Sequence, residues 1–267
     1  MESEMTVWQQ IKYSMSKLIT ECFGTFLLTM LYIGGSQVGL ILGLWIITIF
    51  AWKISGAQMN PAITLAYMIR RDKDADHMSK TLGVCYILAQ LAGAVCGSLM
   101  MSFMLWGIYD LRPNPSSNEN IFGAIMQEGL GTLILVQFYL MQTDERMHYS
   151  KEPAINCFII SSSYNAARAI FNGVNGSVTY PYGACLNPAI AVGITLTSII
   201  NNGGKAFTYF WIYPVMPFAG AIGAWAFYEF IYKKTQMMLD HTRAEHDEEV
   251  HDDMKMQPDE DDGVLDQ

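Results

Sequence analysis

Charged residues are scarce in this sequence. Asp, Glu, Lys and Arg make up 15% of its 267 residues, whereas an average soluble domain contains about a quarter. The five cysteines are scattered and show neither metal-ligand nor disulfide spacing. The sequence also shows no nucleophile–base pair, metal-binding cluster or phosphate-binding loop. These absences argue against a soluble enzyme, and we expect no metal, no cofactor and no nucleic-acid partner.

Long apolar runs dominate the sequence, in which 51% of the residues are hydrophobic. A helix needs about 20 mostly apolar residues to cross a bilayer, and tilt or polar ends can extend shorter runs. The runs cover residues 19–33, 40–52, 84–106, 121–141, 155–171 and 207–232. They predict an all-α membrane protein with six transmembrane helices.

Lysine and arginine lie mainly in alternate connections between these runs. Such residues concentrate in cytoplasmic loops of membrane proteins. On one side lie Lys12, Lys17, Lys53, Arg70, Arg71, Lys73, Lys80, Arg146, Lys151, Lys233 and Lys234; on the other lie mainly Arg112 and Lys205. This bias predicts a multi-pass protein of the lipid bilayer with both termini in the cytoplasm.

The net charge of −9 is concentrated at the end of the sequence. Residues 241–267 contain eleven acids against two cations, so the rest of the sequence is close to neutral. A segment with many like charges and few apolar residues is typical of disorder. We therefore expect a membrane domain over 1–237 and an acidic disordered tail over 238–267.

The membrane domain contains an internal repeat, with one copy over about 14–107 and the other over about 121–235. Three pairs of segments match: residues 21–25 with 128–132, 60–63 with 187–190, and 90–94 with 217–221. The last two pairs share the same offset of 127 residues. Because each copy has three spans, the copies must enter the membrane from opposite sides, and inverted repeats place their site at the interface between the copies. Small residues such as Gly93 and Gly220 allow helices to approach closely.

Each copy contains an Asn-Pro-Ala segment preceded by glycine. The two segments are Asn60-Pro61-Ala62 and Asn187-Pro188-Ala189. Asparagine is a strong N-cap, and proline is favoured at the first position of a helix. The pattern therefore predicts that a helix begins directly after each asparagine.

These two helices are short, because their patterns end near Arg70 and near Asn201. They cannot span a bilayer, so we expect re-entrant half-helices that meet N-terminus to N-terminus at the midplane. Helix N-termini carry unpaired N–H groups and partial positive charge. We expect the asparagine amides to offer N–H donors to a solute there. The approaches 56–58 and 183–185 can present a row of backbone carbonyls beside a water-filled path.

Over roughly residues 15–235 the sequence resembles the aquaporin, or major intrinsic protein, family. The resemblance is carried by the paired Asn-Pro-Ala motifs, the two Glu-x-x-Gly-Thr segments, and the Gly-Ala pairs of the third and sixth spans. It implies a passive water channel and a homotetramer with one pore per subunit. It also implies that Asn60 and Asn187 bond the passing solute, and that Glu21 and Glu128 are buried acids that brace the re-entrant loops.

Three alternatives to a water channel stay open at this point. One is a facilitator of glycerol, urea or another small neutral solute, and another is a junctional or scaffolding membrane protein with an occluded pore. An ion-coupled transporter normally needs charged residues at its site, and none flanks Asn60 or Asn187.

The sequence departs from the family at one position of the selectivity filter. The second Asn-Pro-Ala is usually followed by arginine, but here by Ile190. By similarity the other filter positions are Leu40, or Leu42 if the preceding loop is shortened, together with Tyr164 and Ala184. Such a filter is largely apolar and would repel ions through their desolvation cost.

Arg168 follows Tyr164 by four residues and so lies on the same helix face. One hypothesis is that Arg168 supplies the missing positive charge at the outer mouth of the pore. The alternative is an arginine that reaches lipid headgroups or pairs with loop carbonyls.

Overall fold

The computed structural model describes residues 7–71, 78–107, 109–111, 121–172 and 184–256. All regular structure in these residues is helical. The helices are α1 (Val7–Gly34), α2 (Gln37–Ser55), α3 (Pro61–Ile69), α4 (Lys80–Leu105), α5 (Ile121–Gln142), α6 (Pro153–Asn172), α7 (Pro188–Asn202), α8 (Met216–Phe227) and α9 (Lys233–Met256). The fold class is thus the predicted all-α bundle.

Four of the predicted spans are long and apolar enough to cross a membrane by length and composition, and they form α1, α2, α4 and α5. The fifth span, α6, is more polar because it contains three consecutive serines, Ser161 to Ser163.

The sixth predicted span is not one continuous helix. The run 207–232 begins with the end of a 3₁₀ helix (Gly203–Phe207) and a series of turns, and α8 starts only at Met216. Pro214 and Pro217 explain the difference, because proline lacks the N–H that a helix interior needs and is tolerated in the first turn. Pro217 indeed lies in the first turn of α8.

Two glycines lie at close helix crossings, as the small residues of the repeat predict. A Cβ atom on Gly93 of α4 would collide with the carbonyl oxygen of Cys22 in α1. A Cβ atom on Gly220 of α8 would collide with the carbonyl oxygen of Gly129 in α5. The two crossings occupy equivalent positions in the two repeats, so the internal repeat of the sequence is also a repeat of helix packing.

The described part of the acidic tail, up to Met256, is helical. Helix α9 extends to Met256, while residues 257–267 lie outside the described part of the chain. It continues without a break from a π-helical turn, Tyr228–Tyr232, at the end of α8. An existing helix is extended more easily than a new one is nucleated. His241 and Glu245, one turn apart and 3.3 Å from each other, add an exposed pair.

A buried ionic cluster connects the start of α9 to the end of α3. Asp144, in the α5–α6 connection, accepts a 2.6 Å hydrogen bond from the Tyr228 hydroxyl. It also lies 3.3 Å from the Arg70 guanidinium and 3.9 Å from the Lys233 ammonium. Burial alone would raise the pKa of Asp144, but the Tyr228 hydroxyl, the Arg146 N–H and the two cations together lower it. Asp144 is therefore ionised at neutral pH and holds three elements together.

Candidate functional site

The half-helices α3 and α7 begin at the predicted asparagines. The side-chain oxygen of Asn60 accepts from the Ala62 N–H at 2.9 Å, and that of Asn187 accepts from the Ala189 N–H at 3.0 Å. Proline occupies the first turn of both helices. Helix α3 has 9 residues and α7 has 15, so neither reaches across a bilayer.

The two asparagines bring the half-helix starts together inside the bundle. Asn60 Nδ2 donates to the Leu186 carbonyl at 2.8 Å, and Asn187 Nδ2 donates to the Met59 carbonyl at 2.8 Å. Each amide has two N–H donors, and one donor per asparagine holds the opposite loop. The sequence does not predict this reciprocal tie.

The residue before each asparagine has a strained backbone conformation. Met59 and Leu186 have φ values of 47° and 54°, in the left-handed region that side chains other than glycine seldom adopt. In both cases the N–H bonds a buried acid and the carbonyl bonds the opposite asparagine. Strain of this kind persists only where surrounding contacts impose it. The matching geometry shows that both loops are built in the same way.

Glu21 holds the first loop from α1. One carboxylate oxygen accepts from the Ser55 hydroxyl (2.6 Å) and the Gln58 N–H (3.0 Å). The other accepts from the Met59 N–H (2.6 Å) and the Gln90 amide (2.8 Å). Glu21 is fully buried, so these four donors replace the water that a carboxylate would otherwise bind.

Glu128 holds the second loop from α5. Within the described residues its two oxygens accept from the N–H groups of Cys185 (2.6 Å) and Leu186 (2.7 Å). The repeat is asymmetric here, because the position that matches Gln90 is Pro217, which has no side-chain donor. In the described part of the chain Glu128 therefore has fewer donors than Glu21.

The glycine of each Glu-x-x-Gly segment makes room for the strained residue. A Cβ on Gly24 would lie 2.5 Å from the sulfur of Met59, and a Cβ on Gly131 would lie 2.5 Å from a methyl of Leu186. Positions three residues apart lie on the same helix face. In each motif the glutamate therefore accepts from the N–H of the strained loop residue. The glycine three positions later leaves space for the side chain of that same residue.

The loop carbonyls are less open than the sequence suggested. Three consecutive carbonyls, those of residues 184–186, each accept a protein donor. The donors are Arg168 Nε (3.0 Å to Ala184 O), Tyr164 Oη (2.9 Å to Cys185 O) and Asn60 Nδ2 (2.8 Å to Leu186 O). In the first loop, Tyr139 Oη donates to Gly56 O at 2.7 Å. A carbonyl oxygen has a second lone pair, so each of these groups can still accept one more hydrogen bond.

Comparison with known proteins decides the family. Residues 7–228 match the family described as major intrinsic protein. The chain belongs to the major intrinsic protein family. Its members are membrane channels, and the chain is an integral membrane protein.

Curated relatives of this family member are aquaporins. It is 29% identical over 187 residues to the probable aquaporin PIP2-8 of Oryza sativa subsp. japonica, covering 67% of this chain and 62% of that protein. It is 34% identical over 184 residues to aquaporin-6 of Rattus norvegicus, covering 68% and 59%. The match thus spans about three fifths of the length of these relatives.

A solved structure shows the same fold. The aquaglyceroporin from Plasmodium falciparum superposes with a TM-score of 0.66 at 23% identity, over 84% of this chain and 99% of that one. At this identity the likeness shows the fold alone.

All four predicted filter positions of this major intrinsic protein are buried. Leu40 and Tyr164 are 2% exposed, and Ala184 and Ile190 are fully buried. They belong to one contiguous apolar core. The alternative position, Leu42, is 46% exposed on the outer surface of the bundle, so Leu40 is the residue that faces inward.

Arg168 turns into the bundle rather than toward its surface. It is 8% exposed, and its Nε bonds the Ala184 carbonyl. Its guanidinium lies over the ring of Tyr32 at 4.9 Å and near that of Tyr164 at 5.7 Å. Sequence reasoning missed Tyr32, because no spacing relates a residue of α1 to one of α6.

Proposed function

We propose that this major intrinsic protein is a passive water channel whose path runs between the starts of α3 and α7. One observation supports the proposal most strongly. Asn60 and Asn187 meet in the interior, each tied to the opposite loop by one N–H and each retaining a second N–H. A water molecule there would accept hydrogen bonds from both amides.

The same place would repel cations. Two helix N-termini direct their partial positive charges to one point, and oriented half-helix dipoles are known barriers to protons and cations. On both sides of this point the loop carbonyls keep a lone pair for water. The path would therefore exchange the hydrogen bonds of bulk water for fixed donors and acceptors.

We assign the filter of the channel to Leu40, Tyr164, Ala184 and Ile190. Tyr164 is the hydrogen-bonding member of this set, and its hydroxyl already bonds the Cys185 carbonyl. A solute with many polar groups loses hydration free energy when it enters an apolar filter. We therefore expect water to pass in preference to glycerol or urea. The proposal includes a homotetramer and cytoplasmic termini.

One observation favours a second candidate, a junctional or scaffolding protein with an occluded pore. Each of the four filter residues is at most 2% exposed, and the adjacent carbonyls are engaged by protein donors. A path this tightly filled would pass nothing if the side chains stayed fixed.

Solute permeation through purified protein in lipid vesicles separates these functions. Vesicles should be challenged with gradients of an impermeant osmolyte, glycerol or urea, and followed by stopped-flow light scattering. We expect osmotic shrinkage about tenfold or more faster than in protein-free vesicles, a difference that corresponds to about 1.4 kcal/mol in barrier. Glycerol and urea entry should stay near that of bare lipid. Fast entry of either solute would identify a facilitator instead, and shrinkage equal to bare lipid would identify an occluded pore.

A further inference from the structure

Arg168 is a buried cation in the apolar core of a membrane protein. A charge at this depth is costly and normally has a functional reason. The buried carboxylate of Glu128 bonds the N–H groups of Cys185 and Leu186 rather than Arg168. Within the described residues no acid lies within ion-pair distance of Arg168. Its positive charge is therefore not cancelled by a salt bridge in this part of the chain.

One hydrogen bond joins Arg168 to the second loop. A guanidinium has five N–H donors. Among the described residues, the Ala184 carbonyl accepts from Nε. The four terminal N–H groups have no acceptor in the part of the chain that the structure describes.

Its position along the second loop is defined by the order of the carbonyl bonds. From residue 186 to residue 184 the donors change from Asn60 to Tyr164 to Arg168. Arg168 therefore bonds the loop at Ala184, two residues before Leu186, which Asn60 bonds. A solute that follows the loop therefore meets the guanidinium and the central asparagine amides at different positions along its path.

Two aromatic rings fix the guanidinium in place. The ring of Tyr32, in α1, lies 4.9 Å from the guanidinium carbon. The ring of Tyr164, one turn away in α6, lies 5.7 Å from it. A planar guanidinium stacks on such rings and keeps one orientation, whereas a lysine ammonium would not. The usual source of positive charge, the residue after the second Asn-Pro-Ala, is the apolar and fully buried Ile190.

We infer that Arg168 is the charge barrier of this channel and a hydrogen-bond donor to its solutes, with Tyr32 and Tyr164 as its positioning residues. The inference rests on the proposed channel function. It means that the filter cation comes from α6 rather than from the start of α7. Arg168 would donate a hydrogen bond to the oxygen of a passing water molecule and exclude cations electrostatically.

The test compares Arg168→Ala, Arg168→Lys and Tyr32→Leu in lipid vesicles, with Arg243→Ala as the matched control. Arg243 is an exposed arginine of α9, so the control removes the same charge far from the path. Water permeability and potassium leak are measured on the same vesicle preparations. Arg168→Ala should raise the ratio of potassium leak to water permeability by about tenfold or more, because a unit charge within a few ångströms is removed. Arg168→Lys and Tyr32→Leu both keep the charge but lose its fixed orientation, so each should give an intermediate leak.

Each outcome of this test is informative. If the wild-type protein conducts water but neither Arg168→Ala nor Tyr32→Leu changes the ratio, the inference is wrong and the channel function stands. If the wild-type vesicles conduct no water, the proposed function fails first. If Arg168→Ala does not yield folded protein, Tyr32→Leu decides, because it keeps the charge and removes only the ring that orients it.

Discussion

Replacing Glu21 with alanine is expected to abolish assembly of the first re-entrant loop and with it the folded protein. The change removes the carboxylate that four buried donors share. The two backbone N–H groups of the loop lose their acceptor, whereas the Ser55 hydroxyl and the Gln90 amide also bond Ala51 and Thr64. Each unpaired buried donor costs about 1–3 kcal/mol, and a typical domain has only about 5–15 kcal/mol of stability. The measurement is the yield of monodisperse protein in detergent, together with its thermal unfolding midpoint.

Two further variants make the prediction specific. Glu128→Ala should be less damaging, because among the described residues Glu128 accepts from two donors, whereas Glu21 accepts from four. Glu245→Ala removes an exposed carboxylate of α9 and should leave yield and midpoint unchanged. Equal behaviour of Glu21→Ala and Glu245→Ala would contradict the bracing role of Glu21.

The second large effect is expected at the helix crossings. Gly93→Ala should lower stability by about 1–3 kcal/mol, as overpacking does in a close-packed core. The added Cβ would meet the Cys22 carbonyl, a backbone atom that cannot rotate away, so α1 and α4 would have to separate. Gly220→Ala should have a similar cost at the equivalent crossing of α5 and α8. Thermal unfolding of the detergent-solubilised protein measures both.

Gly129→Ala is the matched control for these variants. It lies in α5, one of the helices of the second crossing, but a Cβ there would meet nothing within 4 Å. Alanine also has a higher helix propensity than glycine. The control should therefore unfold at the same temperature as the wild type or above it. A Gly93→Ala protein as stable as Gly129→Ala would show that the crossing tolerates a side chain.

Local signals predicted the framework of the site well. Asparagine followed by proline specifies a capped helix start through its own backbone chemistry, so α3 and α7 begin where the sequence indicates. The repeated glycines Gly93 and Gly220 predicted the closest crossings for a similar reason, since only a residue without Cβ fits there. The helix starts depend on residues adjacent in sequence, and the close crossings depend on glycines that the internal repeat identifies.

Contacts between distant elements could not be predicted. The stacking of Tyr32 on Arg168 joins α1 to α6, and the bond from Asn60 to Leu186 joins residues in different repeats. No periodicity within one segment contains such information. For the same reason the carbonyls of the second loop were expected to be open, although three donors from other parts of the chain engage them.

Composition alone misled at one place. The apolar run 207–232 suggested one helix, but two prolines delay α8 to Met216. The error arises from averaging hydropathy over a window in which one local feature, a proline, decides the structure.

The most direct test of the central claim is the water permeability of Asn187→Asp in lipid vesicles. Aspartate keeps the oxygen that caps α7 but has no N–H to offer to water or to the Met59 carbonyl. Asn165→Asp is the matched control, because its amide lies on α6 and bonds the Gln37 carbonyl instead. We predict that Asn187→Asp loses about tenfold or more of the protein-dependent water permeability, while Asn165→Asp keeps it. A folded Asn187→Asp protein that conducts water as fast as the wild type would contradict a path between the two half-helix starts.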